Sequence, residues 1–498
     1  MEMIEKFQDL KEISPGAKLE VVGKMPIKTS TQIARSPLSI GCETLDRDFW
    51  DWEKAFPYIK QIGPKWARIQ TGWAKTEQVK GVYDFAWLDK IVNDLLSVNI
   101  TPWLSCSYGN LLYAEGEPSN GSTNAVPIWN QEQRDAWQAY IAKLAEHYKG
   151  RVKYFEVWNE PDIDAFWGPK KSCPADYAKL VKLTSPVLRM HNPDAKVIAG
   201  VIAYSIRYCG FSFLDGMLKS CSPSDIDIIT FHSYDPCPEL LSNLEIEKLR
   251  DMLSRHGIGD IPIWQGEGGC PTVMPRNQAL SGQPWNEHKQ VKMLLRNAFM
   301  DIEHGATVTS YFHLYDFAYV NRKTGDRLPT YYGLLRHPDY TPKPSFYAYQ
   351  ALSTLLGGDV KRSVRIFPSL HKNDWEREQL SPWDAVEHDH NRQRIQRVSL
   401  ERDGYPLIAW WCPANPHQPE LKECERFKPF TAKMMLTSLN DGEFKDPVIV
   451  NLATQTVYRP GNTGAISHWE GFDKTLVIND VPVLDYPLVL TEAAALGL

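Results

Sequence analysis

Between residues 37 and 356 a short apolar or β-branched run is followed by a segment of helical periodicity, and this alternation is the strongest constraint on the fold. The runs are Pro37–Cys42, Trp66–Thr71, Thr101–Ser105, Tyr154–Trp158, Lys196–Val201, Ile226–His232, Ile261–Trp264 and Thr307–Tyr311. Helices are expected over Asp48–Ile62, Phe85–Val98, Glu132–Tyr148, Pro174–His191, Leu240–His256, His288–His304 and Ser345–Leu355. Eight strands, each followed by a helix or helical turn, predict an α/β fold of the (β/α)8 TIM-barrel type. A doubly wound open sheet shares the pattern. It is disfavoured because Gly41-Cys42-Glu43-Thr44, after the first run, lacks the G-x-G-x-x-G spacing that would cradle a phosphate.

Beyond Leu356 the periodicity changes to alternation punctuated by turn residues. Strands are expected at Arg394–Glu401, Pro406–Cys412, Thr431–Ser438, Pro447–Leu452 and Lys474–Ile478, with turns at Asn440-Asp441-Gly442 and Pro460-Gly461-Asn462. The reading is a barrel over 37–356, a β-sandwich accessory domain over 357–498, and a long charged loop at 365–393. Residues 1–36 form an N-terminal arm that lends an edge strand to the accessory domain.

Composition narrows the chemistry. Lys and Arg number 55 against 61 Asp and Glu, a balance of −6, so there is no basic field to hold nucleic acid by counterion release. No window approaches a membrane span. Met1–Leu10 carries Glu2, Glu5, Lys6 and Asp9 and no apolar core of the secretory type. Nine cysteines without a C-x-x-C pair suit a reducing compartment, so a cytoplasmic protein is expected; a secreted one with its leader removed would read the same. Seventeen Trp and 22 Tyr exceed what a core usually needs, and such rings stack on the C–H faces of sugars. A carbohydrate is therefore the expected partner. The oligomeric state is not legible.

The most informative stretch is Val152-Lys153-Tyr154-Phe155-Glu156-Val157-Trp158-Asn159-Glu160-Pro161-Asp162, a buried-strand pattern that ends in Asn-Glu-Pro. Side chains alternate along a strand, so Glu156, Trp158 and Glu160 are expected on one face, the barrel interior. Glu160 falls at the strand's carboxyl end, where barrel active sites are built, and Pro161 stops the ladder. The bland alternative is a loop cap. A second carboxylate, Glu267, ends Ile261-Pro262-Ile263-Trp264-Gln265-Gly266-Glu267, although Gly266 and Gly268-Gly269 also allow an ordinary turn there.

Trp158-Asn159-Glu160-Pro161 resembles the fourth-strand motif of the clan A glycoside hydrolases, retaining enzymes on (β/α)8 barrels. The resemblance extends through Trp137–Gly150 and to Glu267 at the seventh run. Family thirty-nine is nearest, because a helix ending near Leu355 leads into a β-rich tail containing Asp480-Val481-Pro482-Val483-Leu484. The resemblance implies Glu160 as general acid/base, Glu267 as nucleophile, Asn159 at the substrate 2-hydroxyl and Tyr234 as the hydrogen-bond donor to the nucleophile. It also implies a Trp platform on the eighth strand, which this sequence lacks.

The pair makes chemical sense without the name. Glycoside hydrolysis needs one carboxylic acid to protonate the leaving oxygen and a second carboxylate across the anomeric carbon. Strands four and seven face each other across the barrel mouth, so about 5 Å between the carboxyls would leave no room for water and favour retention. Strand parity adds Arg68, aimed either at Glu267 or at Glu156 deeper in the barrel, and His232 and Tyr234 near the end of the sixth run. Tyr311, His313 and Tyr315 share one parity on the eighth run, and Glu43 ends the first. Trp103, Trp129, Trp167 and Trp285 are the candidate stacking residues. Long loops at Tyr108–Asn130 and Pro271–Glu287 favour exo action on a terminal sugar. No cofactor and no metal are expected.

Two other classes stay open. A non-catalytic carbohydrate-binding barrel has no need of both glutamates. A metal-dependent hydrolase or lyase would use His232, Asp235, His313 and Asp316, which lack tight H-x-H spacing.

Overall fold

The apolar runs pair edge to edge and close on themselves. The computed structural model describes residues 7, 9–13, 16–113, 118–119, 122–203, 210–275, 278–320, 327–372, 395–414, 427, 429–438, 444–461, 463–466 and 475–498. Eight parallel strands form a closed barrel in chain order: β1 Leu38–Gly41, β2 Trp66–Gln70, β3 Thr101–Cys106, β4 Tyr154–Val157, β5 Lys196–Ile202, β6 Ile228–His232, β7 Ile263–Gly268 and β8 Ala306–Tyr311. The seventh runs farther than Ile261–Trp264, through Glu267. Its polar tail is held by the ladder and by Gln265, whose Oε1 accepts from Ser310 N at 2.9 Å.

The longer helices among the described residues are α1 Trp52–Ile62, α2 Ala86–Ser97, α3 Gln131–His147, α4 Pro174–His191, α5 Gly210–Leu218, α6 Pro238–Arg255, α7 Glu287–Glu303 and α8 Pro344–Leu355. Their starts follow local chemistry. Asn130 and Asn286 accept from the amides of Gln133 and Lys289, and proline opens α4, α6 and α8, where its missing N–H costs nothing. The short helix α5 was not anticipated in the reading of the sequence. Among the described residues no helix is long and apolar enough to cross a membrane.

Aromatic side chains fill the barrel floor. Trp66, Trp103, Tyr154 and Trp264 pack together, with Trp264 ring centroids 4.9 Å from Trp103 and 5.1 Å from Trp66, over Ile198, Ile228 and Val308. Trp73, Trp137, Trp158 and Trp167 are fully buried between strands and helices. Much of the aromatic excess that suggested sugar stacking is therefore spent on packing.

After α8 the chain forms antiparallel sheets from β9 Val360–Arg362, β10 Ile366–Lys372, β11 Gln396–Arg402, β12 Tyr405–Trp411, β13 Phe430–Ser438, β14 Pro447–Asn451, β15 Thr456–Pro460, β16 Thr463–Ile466, β17 Thr475–Val483 and β18 Leu488–Glu492. One sheet has the order β15-β14-β18-β12-β11-β9, extended at the β15 edge by the strand Leu19–Lys24; the other is β10-β13-β17-β16. The segment read as a loop from residue 365 thus begins as a strand. Residues 373–394, the Asn440-Asp441-Gly442 turn and Asn462 lie outside the described residues. This β-rich region docks on the barrel's flank: Lys292 of α7 pairs with Asp485 at 2.5 Å, and Arg402 donates to the carbonyls of Thr354 and Leu355 at the end of α8.

A buried ion pair ties the loop after β8 to the start of α8. Lys343 Nζ lies 2.8 Å from Asp316, both are almost fully buried, and Asp316 also accepts from Gly333 N at 2.7 Å. Lys343→Met leaves that carboxylate uncompensated, so a loss of about 3–5 kcal/mol of unfolding free energy is expected in urea titrations. A loss under about 1 kcal/mol, typical of exposed pairs, would contradict the burial.

Candidate active site

Arg68, pointing inward from β2, is the hub. Its guanidinium is fully buried, and all five N–H bonds are used. Nε donates to Glu156 Oε1 at 3.0 Å and Nη2 to the same carboxylate and to Asn159 Oδ1 at 2.7 Å; Nη1 is shared between Glu43 Oε1 at 3.0 Å and Glu267 Oε2 at 2.9 Å. The two sequence-based options for Arg68, Glu267 or Glu156, are both realised. One cation thus gathers carboxylates from the ends of β1, β4 and β7.

Strand β4 stops at Val157, and the expected sharing of a face by Glu156, Trp158 and Glu160 does not hold. Trp158 and Glu160 are left-handed, with φ of 71° and 46°. Such conformations cost of order 1–3 kcal/mol and persist only where packing over-determines them. Trp158 accordingly turns outward, donating Nε1–H to Phe166 O at 2.9 Å and packing on Trp137 and Trp167. Asn159 and Glu160 both turn towards the mouth. Asn159 donates Nδ2–H to Tyr108 Oη at 2.8 Å, a partner the sequence reading missed.

Glu160 Oε1 lies 2.8 Å from His232 Nδ1, which is 3.8 Å from Glu267 Oε2. Single atoms of Glu160, His232 and Glu267 all fall within 4.8 Å of one another. Tyr234 donates its hydroxyl to Glu267 Oε1 at 2.7 Å. Gly268 and Gly269 permit close backbone approach there: a Cβ would meet Ser233 O at 2.3 Å or Phe312 O at 2.0 Å. Glu267 is therefore a strand-end residue rather than part of a free turn.

Burial shapes the protonation. It raises Glu160 to about 8, with Asp162 adding to the rise. It raises Glu43 to about 8 as well, Arg68 opposing and Glu267 assisting. It lowers His232 to about 4, so this imidazole is neutral at pH 7. At neutral pH the mouth thus holds a protonated Glu160 a few ångströms from Glu267.

Other candidates sit elsewhere. His313 is buried behind Glu43, its Nε2 3.2 Å from the Glu43 carbonyl, and Tyr315 turns away to stack on Tyr340 and bond His337. Trp103 lies in the barrel floor beneath Arg68, Trp167 packs behind Trp158, and Trp285 packs with Cys270 and Met293; none offers a free face. Trp129 is half-buried under Lys170 Nζ at 4.2 Å. Parity missed Phe312, a half-buried ring just past β8 and 6.3 Å from Tyr234.

The set His232, Asp235, His313 and Asp316 is not brought together. Asp235 caps Cys237 N and Asp316 pairs with Lys343, so neither joins His232. Among the described residues the one cluster with ligand spacing is Glu160, His232 and Glu267. There a divalent cation would face the Arg68 guanidinium 2.9 Å from a Glu267 oxygen whose fellow is taken by Tyr234.

A closed (β/α)8 barrel with Glu160 just past its fourth strand and Glu267 at the end of its seventh is what likens the chain to the clan A glycoside hydrolases. The chain belongs to glycosyl hydrolases family 39, whose family model matches residues 51–365. It is 26% identical over 196 residues to a "Beta-xylosidase" of Geobacillus stearothermophilus, a stretch covering 36% of this chain and 37% of that enzyme. In fold it is similar to a family 39 glycoside hydrolase from the gut symbiont Bacteroides cellulosilyticus WH2, at TM-score 0.60 and 16% identity over 94% of this chain and 83% of that one. It is also similar to a family 39 β-xylosidase from Caulobacter crescentus, at TM-score 0.54 and 15% identity over 95% and 97%.

The raised Glu160 has a consequence for stability. Its unfolded value is about 4.3, so between that pH and about 8 the folded state holds a proton that the unfolded chain has released. Its contribution is present below about pH 4.3 and is lost as pH rises through about 8. Glu160→Gln removes this loss, so its melting temperature relative to wild type should climb from pH 5 to pH 9. A difference independent of pH would show that Glu160 is not raised.

Proposed function

We propose that the protein is a retaining β-glycosidase acting by double displacement on a terminal sugar, with Glu160 as acid/base and Glu267 as nucleophile. The observation that carries this is the spacing of the two carboxyls, whose nearest atoms approach within 4.8 Å. Retaining enzymes hold the pair about 5–5.5 Å apart, whereas an inverting pair needs roughly 6.5–9.5 Å to admit a water.

In the first step a Glu267 oxygen attacks the anomeric carbon while Glu160 gives its proton to the departing oxygen. Arg68 and Tyr234 hold the two Glu267 oxygens and aim the carboxylate. The glycosyl ester removes the charge on Glu267, and Glu160, now a carboxylate, takes a proton from the water that releases the sugar. His232, tied to one Glu160 oxygen, leaves the other for the leaving group and water. Phe312 offers the stacking face and Asn159 the contact to the 2-hydroxyl. The long segments after β3 and β7 favour a closed, exo-acting cleft. The β-xylosidase relatives make a xyloside the first sugar to try.

A panel of aryl β-glycosides with one leaving group and varied sugars ranks the glycone pocket, with the xyloside expected first. Proton NMR of the first-formed sugar should show the substrate's anomeric configuration; the opposite anomer would remove Glu267 from its role. Glu267→Ala should be nearly inactive, and azide should rescue it on an activated leaving group to give a glycosyl azide of inverted configuration. Glu160→Ala should lose far more kcat on an alkyl glycoside than on a dinitrophenyl glycoside, which needs little protonation. Equal losses on both would rule Glu160 out as the acid.

A further inference from the structure

The β-rich module supplies no group to the barrel mouth among the described residues, yet it reaches a loop that does. We propose that Trp411, at the end of β12, is a positioning residue: through Glu239 it fixes the segment Ser233–Pro238, and with it the hydrogen bond from Tyr234 to Glu267. The proposal rests on the reading of Glu267 as nucleophile.

Glu239 stands in the first turn of α6, immediately after Pro238. Arg296 of α7 grips it with two bonds, Nε to Oε1 and Nη2 to Oε2, each 2.6 Å. The module completes this pair. Trp411 donates Nε1–H to Glu239 Oε1 at 2.7 Å, and the Ala414 carbonyl accepts from Arg296 Nη1 at 2.9 Å. Trp411 and Arg296 are buried, as is the Glu239 side chain, so losing one partner leaves a polar group unsatisfied away from bulk water.

From Glu239 the link to the mouth is short and stiff. Ser233 N donates to Glu267 O at 2.9 Å, so one end of the segment is pinned to β7. Pro236 and Pro238 fix φ within it, and Asp235 Oδ1 accepts from Cys237 N at 2.9 Å. A segment pinned at both ends, with two prolines between, has little slack to absorb a shift of the α6 start. Movement there passes to the Tyr234 phenol, 2.7 Å from Glu267 Oε1.

The test uses the full chain carrying Trp411→Phe, Tyr234→Phe and both together. Trp411→Phe keeps an aromatic ring and removes the N–H donor together with part of the buried indole. It should lower kcat on an aryl glycoside roughly 3–10-fold with little change in KM, as a small misplacement of a site group does. The acid limb of kcat/KM should move to higher pH, because a carboxylate that loses a donor is protonated more readily. In the Tyr234→Phe background the same change should have no further effect. Multiplying losses, or a lower melting temperature with unchanged kcat, would overturn the proposal. Should Trp411→Phe fail to fold, Trp411→Met removes the same donor and must show the same non-additivity. An infrared titration of Glu267, assigned through Glu267→Gln, needs no turnover: it should shift upward in Trp411→Phe as in Tyr234→Phe. An unmoved titration would sink the proposal. Absence of turnover in wild type on every glycoside would overturn the functional reading alone, leaving the titration to decide on Trp411.

Discussion

The structure depends on one buried guanidinium. Taking Arg68 out of water costs several kcal/mol, and only a full set of hydrogen-bonded anionic and polar partners offsets it. Those partners, Glu43, Glu156, Asn159 and Glu267, come from the ends of three strands, so satisfying Arg68 and assembling the site are the same event. A lysine would not serve, since a point charge cannot present the planar fork that reaches all of them at once. Three carboxylates around one cation also leave excess negative charge, and burial moves Glu43 towards its neutral form.

Beneath this ionic layer the barrel is unusually aromatic. Trp103 lies 5.7 Å from the Arg68 guanidinium carbon and packs on Trp264, so an apolar floor supports the charged ceiling. The low-dielectric floor keeps water away from Arg68 and strengthens each of its bonds. Around it, the strained backbone at Trp158 and Glu160 sends an indole into the helix layer and a carboxyl into the mouth. Packing of Trp158 against Trp137 and Trp167 offsets the strain, so tryptophans remote from the substrate help aim Glu160.

The β-rich module follows the same logic at longer range. It closes the polar edges of α6, α7 and α8 with buried partners, and at Glu239 it meets the helix that carries the segment of Tyr234. Lys292 and Arg402 dock it on the barrel, and its proposed influence on the site runs through the Trp411–Glu239 contact.

Period and punctuation alone determined the barrel, because each strand is buried on both faces and each helix needs one apolar stripe; β4 and α4 were legible almost to the residue. Glu160 and Glu267 were legible for the same reason, each ending an apolar run. Parity failed where the backbone leaves the extended region, at Trp158 and past Tyr311, and there it misplaced Trp158 and Tyr315 and overlooked Phe312. No local signal could announce that Trp103 is floor and not platform, or that Glu239 meets Trp411, since both depend on which strands and sheets become neighbours. The sequence by itself determined which groups stand at strand ends. Only the tertiary structure decided what each one touches, because burial depth, charge state and the five bonds of Arg68 exist only once the barrel has closed.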